Sequence, residues 1–290
     1  MERMDFRDQI SRNKFYSVLL MFVVLAVIIL LGYVIGSAVG QGYFFTILII
    51  SIIFSMGYIF VGFYYSDKIA LASVGAIQAD RRQFREFYSL VEGLTIASGM
   101  PMPRLYVMNN SQINAFASGR DPAHAVICVT TGALEKLEKR ELEGVLSHEL
   151  SHVANYDIRY MTLVTVLVGI VSIISEIFLR TLFLKSDSDN KNAIFIVIGI
   201  VLAILAPILV YLVQMAISRK REYTADATAV KFTRYPQGLI GALKKIKNDS
   251  IPKETHISKA VAPLFFANPL KGITSTHPPL DERIKILERM

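Results

Sequence analysis

Residues 15–66 read FYSVLLMFVVLAVIILLGYVIGSAVGQGYFFTILIISIIFSMGYIFVGFYYS, and none of them carries a charge. Because about 20 apolar residues cross the hydrocarbon core of a bilayer, this stretch is long enough to cross it twice. Gly40 and Gly42 flank Gln41 near its middle and predict a turn there. We therefore expect two membrane helices, at residues 15–39 and 43–65, that form a hairpin.

Two further apolar stretches follow, at residues 160–184 and 193–217. The first contains Glu176 and Arg180, whose spacing places them on one helix face, where they pair or extend toward the membrane interface. The second contains Pro207, which membrane helices tolerate as a kink. The sequence thus predicts four spans in two hairpins. It divides into an N-terminal flank with the first hairpin (1–66), a middle segment (67–159), the second hairpin (160–218) and a C-terminal segment (219–290).

The composition agrees with a membrane protein, since 53% of the residues are apolar and 19% are charged. Soluble domains carry about 25% charged residues, and disordered chains are far less apolar. The net charge of +7 includes no basic stripe interleaved with aromatic residues, so we expect no nucleic-acid partner. Basic residues precede the first span at Arg3, Arg7, Arg12 and Lys14. The positive-inside rule then places both termini and the middle segment in the cytoplasm.

The middle segment mixes helical and strand patterns, which predicts an α+β domain. The spacing of apolar residues predicts an amphipathic helix over 79–97, and a second helix from Gly132 onward. Short β-branched or apolar runs between turn residues predict strands at 105–108, 113–117 and 125–130.

The second helix contains the sequence His148-Glu149-Leu150-Ser151-His152. Residues four apart lie on one face of a helix, so both imidazoles can bind one metal ion. Glu149 is next to the first histidine and is placed to activate a water molecule without being a ligand itself. Two surface histidines on an ordinary amphipathic helix would be the alternative interpretation.

A catalytic zinc site requires a third protein ligand. Cys128, the single cysteine, lies in an apolar strand, and His124 and His256 lie in polar turns or loops. Glu222 and Asp226 are better placed, because the predicted second hairpin returns the chain to the side of the zinc helix. They are four residues apart, so one can bind the metal while the other orients a ligand histidine. The residues alone leave open which does which.

Five blocks of the sequence, at residues 101–107, 114–119, 147–157, 218–226 and 275–284, resemble those of the HtpX family of membrane-bound zinc metalloproteases, relatives of the CAAX prenyl endopeptidases. The resemblance covers essentially the whole chain. Ser118 departs from it, since threonine is usual there, and the change is conservative.

The resemblance implies a cytoplasmic zincin-like (gluzincin) catalytic domain with one catalytic Zn²⁺ at the mouth of a four-helix membrane bundle. It assigns zinc binding to His148, His152 and Glu222, the orientation of a ligand histidine to Asp226, general base catalysis to Glu149, electrostatic stabilisation to His277 and Arg283, and substrate binding to Asn114, Ala115 and Phe116. As a surface-exposed pair, His277 and Arg283 would have no catalytic role. Likewise, residues 114–116 would be an ordinary internal strand if they did not bind substrate.

The implied function is proteolytic quality control, and by extension stress response, in the cell membrane. Its substrates would be polypeptides, namely the cytoplasmic parts of damaged or misfolded membrane proteins. A CAAX-type endopeptidase acting on prenylated proteins is the alternative within the same chemistry, although such enzymes have more spans. A non-proteolytic scaffold or transporter is the alternative from another class. Transporters, however, place ionisable groups near the membrane midplane, and the first two predicted spans contain none.

Overall fold

A computed structural model of the protein describes residues 6–39, 42–164, 219–249, 264–267 and 278–290. The labelled helices are α1 (Phe6–Val39), α2 (Phe44–Tyr64), α3 (Ser66–Ser73), α4 (Arg85–Ser98), α5 (Thr131–Lys136), α6 (Lys139–Ala154), α7 (Arg219–Thr233), α8 (Pro236–Asn248) and α9 (Leu280–Leu287). The strands are β1 (Ile77–Gln78), β2 (Arg104–Met108), β3 (Ala115–Ser118) and β4 (Val126–Thr130). Residues 157–164 are also helical.

The first predicted hairpin is confirmed as the two long apolar helices α1 and α2, with α1 extending back through the basic flank to Phe6. Each contains a window apolar and long enough to cross a membrane, at Ile10–Leu30 and Phe44–Tyr64. Only 24% and 6% of these windows are buried within the protein. Because core helices of soluble proteins are mostly buried, this exposed apolar surface fits a bilayer. Of the other two predicted spans, residues 165–184 and 193–217 lie outside the described residues.

A small mixed sheet forms the middle of the domain, in the strand order β1-β2-β4-β3. β2 and β4 are parallel, whereas β1 and β3 are antiparallel to their neighbours. The three predicted strands are confirmed within two residues at each end, and β1 was not predicted. Since β3 pairs only with β4 within this sheet, its other side is an edge at which further backbone can bind.

Two helix boundaries differ from the predictions. The helix expected from residue 79 begins at Arg85, because the Asp80 carboxylate accepts hydrogen bonds from the backbone N–H groups of Arg82 and Gln83 and forms a turn there. The helix expected from Gly132 is divided into α5 and α6. A capping box between Glu138 and residue 141 starts α6 as a separate helix.

Helix α6 lies at the centre of the domain, packed against the sheet, α7 and α8. Its contact with α8 is unusually close, since a Cβ atom at Gly144 would lie 2.6 Å from the backbone nitrogen of Leu239. A Cβ atom at Gly238 would likewise lie 2.2 Å from the carbonyl oxygen of Arg140. These two glycines bring the helix backbones together and bury one face of α6, which fixes the orientation of the side chains that it carries.

Candidate metal centre

Two histidines of α6 and one glutamate of α7 converge in the protein interior. The Nε2 atoms of His148 and His152 are 3.1 Å apart, as expected for residues one turn apart on a helix. Each Nε2 lies 3.6 Å from one carboxylate oxygen of Glu222. All three side chains are buried, and one ligand atom from each lies within 4.8 Å of the others.

Two further carboxylates contact the two imidazole rings on the side away from Glu222. Asp226 Oδ1 lies 2.9 Å from His148 Nδ1, and Asp157 Oδ2 lies 3.0 Å from His152 Nδ1. A carboxylate at Nδ1 keeps a proton on that nitrogen, so the neutral ring presents its lone pair at Nε2. In the neutral form that binds a metal, both Nε2 lone pairs face Glu222, and this donor set of two imidazoles and one carboxylate fits a catalytic Zn²⁺ ion.

The electrostatics of the site are set by burial and by these carboxylates. Burial alone would lower the pKa of His152, but the hydrogen bond to Asp157 and the charges of Glu222, Asp157 and Glu149 outweigh it and raise that pKa to about 9. Metal binding therefore has to displace a proton from His152. Burial would raise the pKa of Asp226, but the charge of Arg283 and the contact with His148 lower it.

Glu149 lies beside the two histidines and is almost fully buried. Burial raises the pKa of its carboxyl group, which the neighbouring histidines and a hydrogen bond with the backbone of Ala117 partly oppose. A carboxyl group with a raised pKa, next to a metal site, is suited to accept and then release a proton.

Arg283 on α9 is fully buried against the same cluster. Its Nε and Nη2 atoms donate to Asp226 at 2.9 and 2.7 Å, and its Nη1 lies 3.7 Å from Glu222 Oε2. The guanidinium is therefore part of the interior of the site and not a surface group. Because Nε and Nη2 bond to Asp226, the predicted contact of Arg283 with a reacting carbonyl would be made by Nη1. The role of Arg283 as an electrostatic stabiliser stays a prediction. His277 and His256 lie outside the described residues.

The predicted substrate strand is occupied by another part of the same chain. The Asn114 side chain donates to the carbonyl of Ala267 and accepts from its N–H, at 2.8 and 3.0 Å. The N–H of Phe266 donates to the carbonyl of Ala115 at 2.8 Å. Phe116 faces inward, in an edge-on contact with Phe265. The role of residues 114–116 in substrate binding stays a prediction, and Ala115 becomes available only if residues 264–267 move.

Three contributors to the site were not identified from the sequence. Asp157 had been noted only as part of a matching block, although its position just beyond α6 is a usable signal for a partner of His152. Phe266 contacts the His148 ring edge-on, with centroids 4.8 Å apart. Asn13 donates to Asp157 from α1, at 2.6 Å, and a single amide near the start of an apolar span is a weak signal.

Fold and site together define the class of protein: a metalloprotease of the H-E-x-x-H type, joined to apolar helices that fit a membrane. The sequence profile described as Peptidase family M48 matches residues 81–290. The chain belongs to this family.

Similar proteins align with most or all of this chain. The chain is 43% identical to a "Protease HtpX homolog" of Caldanaerobacter subterraneus subsp. tengcongensis over 86% of its own length and 89% of the relative's. A protein of the same description from Dictyoglomus thermophilum is 38% identical, over 100% of this chain and 96% of that one. The crystal structure of S. mikatae Ste24p matches with a TM-score of 0.49 and 20% identity, over 95% of this chain and 65% of that one. The protein is a membrane metalloprotease of the HtpX kind.

Proposed function

We propose that this protein is a zinc-dependent endopeptidase that hydrolyses peptide bonds in the cytoplasmic regions of misfolded or damaged membrane proteins. The observation that carries the proposal is the convergence of His148, His152 and Glu222, whose ligand atoms lie within 4.8 Å of one another in the interior. Their donor set fits zinc, and family membership supports a peptide-bond substrate.

Each residue of the site has a role in this proposal. His148, His152 and Glu222 hold the metal ion, and Asp226 keeps His148 in the orientation that binding requires. When bound, zinc would supply a Lewis acid that polarises the scissile carbonyl and acidifies water. Glu149 takes the proton of the attacking water and gives it to the leaving amine, for which its raised pKa is suited.

His277 and Arg283 complete the proposed machinery as electrostatic stabilisers of the charge that develops on the carbonyl oxygen. We place the substrate beside β3, at Asn114, Ala115 and Phe116, as an added strand. Because Phe266 and Ala267 now bond to that edge, a substrate that pairs with Ala115 has to displace them.

The contacts of α1 support a cytoplasmic site, and we propose that the protein is multi-pass with four spans. One basic residue of the N-terminal flank lies near the metal centre, since Lys14 Nζ is 4.3 Å from the centre of the Tyr156 ring, four residues beyond His152. The positive-inside rule assigns such basic flanks to the cytoplasm. A site on this side would act on the cytoplasmic loops and tails of other membrane proteins.

The test is cleavage by the detergent-purified protein, compared with its Glu149→Gln variant. We expect zinc content to be unchanged and cleavage of an unfolded protein to fall by at least about 100-fold, since proton transfer by a placed side chain contributes roughly 10²–10⁴-fold. Near-normal activity of the variant would contradict the role of Glu149. Three substrates separate the alternatives: an unfolded soluble protein, an unassembled membrane protein and a prenylated peptide. Cleavage of the prenylated peptide alone would favour the CAAX-type reading.

A further inference from the structure

Helix α1 contains a buried amide inside its candidate membrane span. Asn13 is 2% exposed, and its Nδ2 donates to Asp157 Oδ1 at 2.6 Å and to the carbonyl of Asn155 at 3.0 Å. A buried amide is costly unless its hydrogen bonds are satisfied. The turn that follows α6 therefore supplies the acceptors that the buried amide of Asn13 requires, and Asn13 supplies hydrogen-bond donors to that turn.

Asp157 connects this amide to the candidate metal ligand His152. Its Oδ2 lies 3.0 Å from His152 Nδ1, while its Oδ1 accepts from Asn13. The Nε atom of Arg221 is further from Oδ1, at 3.7 Å. Because the carboxylate is fully buried, the short bond from Asn13 to one oxygen fixes the rotation that presents the other oxygen to His152.

The hydrogen bond lies at one end of a longer contact between α1 and the helical residues 157–164. Leu20 and Val24 of α1 share a buried apolar cluster with Tyr160, Leu163 and Val164. The contact thus places the first membrane helix along the segment that leaves the metal centre, with Asn13 bonded to Asn155 and Asp157 at the start of that segment.

We propose that Asn13 is a positioning residue that couples the docking of the first membrane helix to the orientation of His152, and through it to metal affinity. This inference rests on the proposed function, because it takes His152 to be a metal ligand. Asn13 acts through Asp157 and contacts no reacting atom. Its contribution is therefore expected in how tightly the metal is held, before any effect on substrate.

The test uses the full-length protein and measures zinc affinity by competition with a chromophoric chelator. Asn13→Leu keeps the branched side-chain skeleton and the apolar span but removes the donor. Ser17→Ala is the matched control, since this buried hydroxyl lies one turn along α1 and donates to the Asn13 carbonyl. We expect Asn13→Leu to weaken zinc binding by roughly threefold to tenfold, less than the 10–100-fold typical of a direct partner of a ligand, and Ser17→Ala to change it by less than about twofold.

A double-mutant cycle separates positioning from packing. If Asn13 acts through Asp157, the Asn13→Leu change will have no further effect on zinc affinity in an Asp157→Ala background. The same loss in both backgrounds, or equal losses for Asn13→Leu and Ser17→Ala, would overturn the inference. Gel filtration and apparent melting temperature identify variants that do not fold, and Asn13→Ala, which removes the donor without adding bulk, then replaces Asn13→Leu. If the unaltered protein binds no zinc, the proposed function itself fails, and the inference with it.

Discussion

Each of the two histidines of α6 contacts a buried carboxylate at Nδ1, but the two carboxylates have different partners. Behind His148 stands Asp226, which is bonded by the guanidinium of Arg283. His152 Nδ1 contacts Asp157, which accepts a hydrogen bond from the neutral amide of Asn13 at 2.6 Å and lies 3.7 Å from Nε of Arg221. We call Asp226 with Arg283 the charged arm, and Asp157 with Asn13 the second arm. The charged arm ends in a guanidinium that donates two hydrogen bonds, whereas the short hydrogen bond of the second arm comes from an uncharged amide on the first membrane helix. The charge of Arg221 lies farther from Asp157 than this amide does.

Because of this difference, we expect the two arms to contribute differently to stability and to metal binding. In the charged arm the guanidinium balances a buried carboxylate, so breaking it is expected to cost stability as well as the orientation of His148. In the second arm, the proton on His152 contributes positive charge beside Asp157, which is consistent with the pKa of about 9. That arm is therefore sensitive to metal, to pH and to the membrane helix.

The largest effect is expected when the charged arm is broken. Arg283→Met leaves Asp226 buried without its ion-pair partner, and removing one member of a buried pair costs about 3–5 kcal/mol. We expect a correspondingly large loss of stability in detergent, measured by chemical denaturation, while Asn13→Leu costs much less.

The double variant Arg283→Met/Asp226→Asn is the control for this prediction. It removes both charges, so it should recover part of the stability that the single variant loses. A cost below about 1 kcal/mol for Arg283→Met would show that water reaches the pair and that the two arms do not differ in the way we describe.

The next largest effect is expected in the pH dependence of stability, which arises from His152 in the second arm. The pKa of His152 is raised from 6.5 to about 9, so its stabilisation of the metal-free fold is complete below about pH 6.5 and is lost as the pH rises through 9. We expect the unfolding free energy of chelator-treated protein to fall over this range by on the order of 1 kcal/mol or more, given about 1.4 kcal/mol per pKa unit.

Asp157→Asn provides the comparison, since it removes the main hydrogen-bond partner of the charged imidazole and should flatten that slope. Zinc affinity should show the opposite trend and increase over the same pH range, because metal and proton compete for His152. An identical pH slope in the unaltered protein and in Asp157→Asn would show that other groups control the titration.

Features of the fold and the site that follow from residues close together in the sequence could be predicted, whereas features that depend on distant segments could not. The i, i+4 spacing of His148 and His152 on a helix was predictable, because it follows from helical geometry. Glu222 and Asp226 could not be distinguished from their residue types, and only the packing of α7 places one at Nε2 and the other at Nδ1 of the histidines.

The remaining features depend on contacts between distant segments, and no local pattern encodes them. The amide of Asn13 reaches a carboxylate 144 positions away, and Ala267 bonds to Asn114 across 153 positions.

The later start of α4 was different in kind, since a local signal existed. Asp80 is a common turn residue, but the apolar spacing of residues 79–97 was given more weight.

The smallest effect is expected in the sheet, which belongs to neither arm. Cys128 lies in β4 with no exposed surface, and burial raises the pKa of its thiol. Because the thiolate is the reactive form, thiol reagents should leave it unmodified in the folded protein at neutral pH and modify it after denaturation, as read by mass spectrometry. Rapid labelling of the folded protein would mean that β4 opens to solvent at neutral pH and would contradict this prediction.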